Sequence, residues 1–130
     1  PEYTLFAHYS ERLRIPINLH QYTMKQGESE TEAFQEAVSG GYVMALDEGG
    51  QQITSRGFAG LISKARVQGC SDIHFLIGPA DGFVPETLAL ANKVIAFGGV
   101  TWPHMLMRAL CAEQIFRAES ILNNHPYHRD

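Results

Sequence analysis

The sequence lacks several features that would each define a class of protein. No apolar run approaches the ~20 residues needed to cross a bilayer. Repeats, low-complexity segments and a signal peptide are absent, and without an initiator Met we expect the N-terminus to be processed or trimmed. Only two cysteines occur, Cys70 and Cys111, without metal-ligand spacing. These absences predict one soluble cytoplasmic domain with free thiols, no metal and no membrane segment.

Charge of either sign is also scarce. The net charge is −4, which argues against indiscriminate binding of nucleic acid. Residues 97–130 carry three Lys or Arg, three Asp or Glu and three of the six histidines, so the acidic excess lies entirely in residues 1–96. The C-terminal third is therefore the better place to look for a basic or titratable site.

What the chain does contain is a regular alternation of helical patterns and apolar runs. We predict helices over residues 2–14, 28–38, 54–69, 85–92 and 105–122, and strands over 17–23, 42–46, 73–77 and 94–97. Residues 47–50 are expected to turn the chain. This order predicts an α/β fold whose parallel sheet is flanked by helices, with ligands outside the carboxyl ends of the strands.

Two of those strand ends carry glycine. Gly78 follows one strand, and Gly98 and Gly99 follow another, so backbone groups can approach a ligand there. Thr101 is expected to cap the next helix, with Pro103 in its first turn. That helix is apolar on almost every side, which predicts burial against more than one partner.

The tail is the most unusual stretch. Residues 125–129 read His-Pro-Tyr-His-Arg, which combines an aromatic ring for stacking with donors for a base or a phosphate. The alternatives are a frayed terminus or, less favoured, a metal site at His125 and His128. His104 likewise has two interpretations, because a histidine at a helix start often just satisfies backbone groups.

Four groups of residues together resemble the ribosomal RNA large subunit methyltransferase H family. They are residues 76–78 with Asp81 and Gly82, residues 101–104 with Arg108, residues 112–114 with Arg117 and Ala118, and residues 124–129. The resemblance implies methyl transfer from S-adenosyl-L-methionine to N3 of a pseudouridine in 23S rRNA within the ribosome. It also implies the SPOUT fold, whose C-terminal half forms a trefoil knot, a rare exception to unknotted topology. We further expect a homodimer, because the helix over residues 104–122 has more apolar surface than one sheet face can cover.

The resemblance also places the site. It implies cofactor contacts at the three strand ends, namely Leu46, Gly78, Phe97, Gly98, Gly99, Val100, Thr101 and Trp102. It implies catalytic roles for His104, Arg108, Tyr127, His128 and Arg129. Two departures stand out. The sequence starts at the family's first helix, so the strand that usually precedes this helix is either absent or trimmed. Pro79 stands where the family usually has a second glycine, which removes one N–H from the cofactor loop.

The implied reaction needs particular groups. An imide N–H is a poor nucleophile until its proton leaves, so a base or a cation that holds the imidate is required. His104 or His128 is the candidate base, and Arg108 or Arg129 the candidate cation. The last helix is about 28 Å long at 1.5 Å per residue, so we expect the tail to serve the pocket of a second copy. The alternatives are a non-catalytic nucleotide- or RNA-binding α/β module and a nucleotide-dependent enzyme unrelated to methylation.

Overall fold

A four-stranded, entirely parallel sheet in the order β1-β3-β2-β4 organises the chain. The computed structural model describes residues 1–13, 17–21, 29–38, 40–70, 72–78, 82–98 and 102–129. The elements are α1 (Glu2–Ser10), β1 (Ile17–Gln21), α2 (Glu30–Ala37), β2 (Tyr42–Gln52), α3 (Ser55–Val67), β3 (Ile73–Ile77), α4 (Pro85–Leu88), β4 (Lys93–Ala96) and α5 (His104–Leu122). The predicted parallel sheet with flanking helices is confirmed, and the knot remains a prediction.

Each face of the sheet has its own core. On one face Met44, Phe75 and Ile95 pack under the buried sides of α3 and α5. On the other, Phe34 of α2 packs against Val43, Ala45 and Leu76 of the strands. All five residues of β3 are buried because this strand is covered on both faces, as expected of an interior parallel strand.

Helix α5 has the two-sided burial that its composition predicts. It packs against α3 and β3 on one side and against α1 on another. Helix α1 thus covers part of the apolar surface on which we based the expectation of a homodimer. The homodimer therefore stays a prediction, with less support from that argument.

The prediction of a turn after Leu46 is wrong in one respect. Strand β2 continues to Gln52, with a register shift between Leu46 and Gln51 against β4. Asp47 Oδ2 accepts the Gly49 N–H at 2.9 Å, which forms a local turn inside the strand. Leu46 and Gln51 both pair with Ile95, so residues 47–50 are inserted into β2, a larger irregularity than the single extra residue of an ordinary β-bulge, and the strand resumes its pairing beyond them.

Several helix boundaries also differ from the predicted ones. Helix α4 is a single turn that ends at Leu88, because Asn92 joins the sheet: its N–H donates to Val43 O and its Oδ1 accepts the Val43 N–H, both at 2.8 Å. Helix α1 ends at Ser10 rather than at residue 14. Pro103 is the N-cap of α5 instead of lying in its first turn, and Thr101 lies outside the described residues.

A pair of histidines joins the edge strand β1 to β3. His20 Nε2 lies 2.9 Å from His74 Nδ1, and the two rings are stacked. Burial, and then the neighbouring imidazole of His74, lower the pKa of His20. His74 is 6% exposed, and its Nε2 has no hydrogen-bond partner among the described residues. The charged form of His20 is thus disfavoured in this place.

Candidate active site

The carboxyl ends of three strands meet at one edge of the sheet. Leu46 of β2 lies in register with Ile77 of β3 and Ile95 of β4. Gly78 follows Ile77 directly, and a Cβ built on it would lie 3.1 Å from the ring of Phe83. The structure therefore brings Leu46 and Gly78 together as predicted. The ring of Phe83 leaves little room for a larger residue at position 78.

Two side chains bind the backbone of Phe97 and Gly98, where the chain leaves β4. Gly98 has a φ of 89°, which favours glycine, and its N–H donates to Gln52 Oε1 at 3.1 Å. Trp102 Nε1–H donates to Phe97 O at 3.0 Å, while its ring stays 39% exposed. Gln52 can reach Gly98 only because β2 continues beyond residues 47–50. Of the predicted loop residues, Gly99, Val100 and Thr101 lie outside the described part of the chain.

Phe97 fixes this loop to the core. Its ring meets the ring of Phe58 edge-on, with centroids 5.6 Å apart, and Phe58 also contacts Phe75 of the central strand at 5.9 Å. Phe58 is 1% exposed. The position of the Phe97 backbone therefore depends on packing inside the α3 face of the sheet.

The tail turns back along α5 instead of extending away. Asn124 adopts a φ of 56°, a conformation that asparagine tolerates, and the next N–H, of His125, donates to Ser120 O at 2.8 Å. Tyr127 then meets Phe116 edge-on, with ring centroids 4.7 Å apart. The frayed-end alternative is therefore wrong for Tyr127 and His128, which contact α5, while His125, Pro126 and Arg129 are exposed.

The carboxylate of Glu113 joins the tail to the helix. Its Oε1 accepts the Tyr127 O–H at 3.0 Å and the Arg117 Nε–H at 2.9 Å, and lies 2.8 Å from Arg117 Nη2. Its Oε2 accepts a bond from Gln114 Nε2 at 3.1 Å, and Gln114 Oε1 accepts the Ser55 hydroxyl at 2.9 Å. The tail is thus connected, through α5, to the first turn of α3.

Tyr127 is positioned as a hydrogen-bond donor. Its hydroxyl also lies 3.4 Å from that of Tyr9 on α1. Burial raises the pKa of Tyr127 above its usual range, and the bonds to Tyr9 and Glu113 raise it further. The phenol is therefore held in its protonated form, as the donor of the hydrogen bond to Glu113.

The predicted catalytic residues fall into two groups. Arg108 lies near the start of α5, with its guanidinium 4.7 Å above the ring of Phe6. His104 is the first residue of α5, and its side chain lies outside what the structure describes. Tyr127 contacts Glu113, which lies nine residues after His104 on α5. Nine residues of α-helix are about 14 Å long. The single chain therefore does not bring the tail to the beginning of α5.

Several residues that shape the site escaped the sequence argument. Glu113 and Arg117 have the i,i+4 spacing of a helix-supporting ion pair, which is too common to reveal that they hold the tail. Gln52 escaped because residues 47–50 predict a turn. Tyr9 escaped because nothing in the sequence brings α1 near residue 127. The resemblance of residues 112–114 and Arg117 to a known family was the one signal that marked this region.

Other kinds of site find no support in the described residues. No group of three or more His, Cys, Asp and Glu side chains there is arranged to hold a metal ion. None of the helices in the described ranges combines the length and apolarity that crossing a membrane requires. Burial raises the pKa of the Cys111 thiol far above its usual range, so this cysteine behaves as a core residue.

Comparison with known proteins identifies the fold. Residues 2–128 match the model of a family described as predicted SPOUT methyltransferase. Proteins named ribosomal RNA large subunit methyltransferase H are similar along the chain. That of Rhodospirillum centenum is 42% identical over an alignment 137 positions long, which covers 99% of this chain and 90% of that protein. That of Paramagnetospirillum magneticum is 43% identical over the same shares. That of Sphingopyxis alaskensis is 50% identical over 94 residues, 72% of this chain and 66% of that protein. The chain belongs to the SPOUT methyltransferase family and, within it, to the ribosomal RNA large subunit methyltransferase H family.

Proposed function

We propose that this methyltransferase takes its methyl group from S-adenosyl-L-methionine and transfers it to N3 of a pseudouridine in 23S rRNA, on the ribosome and hence in the cytoplasm. The observation that carries the proposal is the match of nearly the whole chain to relatives with that name. The convergence of three strand ends at one edge of the sheet supports it, since α/β folds bind ligands there.

The described residues at this edge fit an adenosine-bearing cofactor. Leu46 and Ile77 are apolar residues at the strand ends, and no atom lies within 4 Å of a Cβ built on Gly98, so a ligand can approach the backbone there closely. The cofactor supplies an electrophilic methyl group on a sulfonium. The chain's own contribution is to bind it through the strand ends, to exclude water with Phe97 and Trp102, and to hold the acceptor nitrogen in line.

The substrate half of the reaction is a deprotonation. The N3 proton passes to a base, the nitrogen lone pair forms the new N–C bond, and the electron pair of the broken C–S bond stays on sulfur. Negative charge spreads meanwhile over the two carbonyl oxygens beside N3. Donors that face those oxygens lower the barrier, because they bind the transition state better than the neutral base.

We further propose a homodimer in which each pocket receives the tail of the other subunit. The support is spatial: Tyr127 is held near the middle of α5, about 14 Å from the helix start that adjoins the cofactor loop. A mixed dimer tests it, pairing a Gly98→Val subunit with an Arg129→Ala subunit. A shared site leaves one pocket and one tail intact, so about half of the wild-type activity should return. Loss of all activity, with both subunits folded, would refute the exchange.

The function itself is tested with purified ribosomes and S-adenosyl-L-methionine that carries a labelled methyl group. We expect label at N3 of one pseudouridine of 23S rRNA, mapped by mass spectrometry of nuclease fragments. Gly98→Val should abolish both calorimetric binding of the cofactor and labelling, since a β-branched residue resists the φ of 89°. Gly60→Ala is the matched control, because its position on α3 is exposed and open.

The non-catalytic alternative makes a different prediction. A module that binds nucleotide or RNA without chemistry would show no preference for S-adenosyl-L-methionine and its demethylated product over other adenosine compounds. It would also leave the ribosome unlabelled. Either result with the wild-type protein would reject the proposed reaction.

A further inference from the structure

The guanidinium of Arg117 is held on three sides. Its Nε and Nη2 lie 2.9 and 2.8 Å from Glu113 Oε1, and its central carbon lies 4.9 Å from the centre of the Tyr127 ring. Its remaining nitrogen, Nη1, lies 3.1 Å from Nδ1 of His128. Because the guanidinium is planar, fixing one edge on the carboxylate fixes the direction in which Nη1 points.

The contact with His128 allows one protonation state of the ring. A guanidinium carries five N–H donors and no acceptor, so the contact is a hydrogen bond only if Nδ1 of His128 accepts. A neutral imidazole whose Nδ1 accepts carries its proton on Nε2. The other tautomer and the imidazolium would both set one N–H against another. The arrangement around Arg117 therefore selects the neutral Nε2–H form of His128.

The carboxylate that orients Arg117 is itself fixed. Glu113 is also bound by the Tyr127 hydroxyl and by Gln114, which Ser55 holds in turn. The side chains of Arg117 and Glu113 are only 24% and 16% exposed. The position of the guanidinium is therefore set by α3, α5 and the tail together, and not by one surface ion pair.

From this geometry, and on the basis of the proposed function, we infer that Arg117 is a positioning residue that holds His128 as its Nε2–H tautomer. His128 then donates a hydrogen bond to a carbonyl oxygen beside N3 of the target base and does not take the N3 proton. Its donor faces an oxygen on which charge develops, where a fixed N–H is most effective. Of the two histidines considered as the base, this assignment leaves His104.

The tautomer is measured directly, without any reaction. Long-range proton–nitrogen correlation spectra of the full-length protein labelled with ¹⁵N-histidine distinguish a protonated from an unprotonated ring nitrogen, and His128→Gln assigns the signals. At pH 8 we expect His128 to have an unprotonated Nδ1 and a protonated Nε2. Arg117→Met should bring the two tautomers into exchange. A protonated Nδ1 in the wild type, or a pattern that Arg117→Met leaves unchanged, would overturn the inference.

Three substitutions of His128 test its role as a donor. The glutamine amide nitrogen lies near the place of Nε2, and the asparagine nitrogen near that of Nδ1. His128→Gln should therefore keep kcat within about tenfold of wild type, whereas His128→Asn and His128→Ala should lose about 10²–10³, as when a transition-state donor is removed. The acidic limb of the pH–rate profile should persist in His128→Gln.

A general base at His128 predicts a different pattern: equal loss in all three variants and no acidic limb. Calorimetric binding of S-adenosyl-L-methionine verifies that each variant is folded, because the inference requires it to stay within a few-fold of wild type. If the wild-type protein labels no rRNA, the proposed function fails, yet the spectra still decide whether Arg117 selects the tautomer.

Discussion

Two glycine-to-alanine substitutions should have opposite effects on stability, although the chemical change is the same. Gly50 lies in the irregular part of β2, against the backbone of β4. A Cβ built there would lie 2.8 Å from Ile95 N and from Val94 C, and backbone atoms cannot turn aside as a flexible side chain can. Gly60 lies in the middle of α3, exposed, with no atom within 4 Å of an added Cβ.

The magnitudes follow from these surroundings. Overpacking a rigid contact costs about 1–3 kcal/mol, so Gly50→Ala should lower the free energy of unfolding by that amount. Glycine inside a helix costs about 0.5–1 kcal/mol relative to alanine, so Gly60→Ala should raise it by that amount. The two variants should differ by about 1.5–4 kcal/mol. At about 3–5 °C per kcal/mol for a domain of this size, the difference in Tm is about 5–20 °C.

Urea and thermal unfolding followed by circular dichroism measure both values. The pairing of Gln51 with Ile95 should widen in Gly50→Ala, and Gln52 should then lose its bond to Gly98, so this variant should also bind S-adenosyl-L-methionine more weakly. A Gly50→Ala variant as stable as the wild type would refute the account of β2 as a strand packed against β4, and a destabilised Gly60→Ala variant would contradict the account of Gly60 as an open helical position.

Two further substitution pairs test the core and the histidine pair. Phe58→Leu and Phe34→Leu should each lower the free energy of unfolding by about 1–3 kcal/mol. Only Phe58→Leu should weaken cofactor binding, because Phe58 contacts the ring of Phe97 whereas Phe34 belongs to the core on the other face of the sheet; equal affinities would contradict this. The lowered pKa of His20 means that the unfolded chain binds more protons than the folded one at mildly acidic pH, so stability should fall as pH drops below the ordinary value of 6.5. His20→Gln should make stability less dependent on pH in this range, whereas His8→Gln, at an exposed position on α1, should not. If wild type and His20→Gln show the same dependence of stability on pH, the histidine pair is not the cause of that dependence.

The sequence predicts most of the sheet because each strand carries its own signal. Ile73–Ile77 is a continuous apolar run, and its burial on both faces needs no knowledge of the rest of the chain. The end of β2 could not be predicted in the same way. Gly49 and Gly50 are typical of turns, and only the approach of β4 makes Gly50 part of a strand. The predicted end of α4 was wrong for a similar reason, because Asn92 is hydrogen-bonded to Val43 of β2, which lies far from it in sequence.

The candidate site likewise has a part that the sequence predicts and a part that depends on contacts between distant elements. Leu46 and Gly78 were predicted because parallel strands end at one edge, a property of the fold class. The contacts of Tyr127 with Glu113 and Tyr9 depend on the direction in which the chain leaves Asn124 and on the docking of α1. Local periodicity predicts neither of these features. The residue types of the tail therefore indicated a site, but the residues that the tail contacts could not be predicted.

The order of the strands also dictates the order in which the sheet can assemble. Tyr42 pairs with Ile73, 31 residues later, through the crossover that contains α3, whereas Ile17 pairs with Ile73 across 56 residues. Closing the shorter connection costs less chain entropy, and β3 must be in place before β1 has anything to join. During refolding, amide protons of β2 and β3 should therefore become protected from exchange before those of β1. The late arrival of the edge strand β1, which carries His20, leaves one edge of β3 exposed to pairing with other chains.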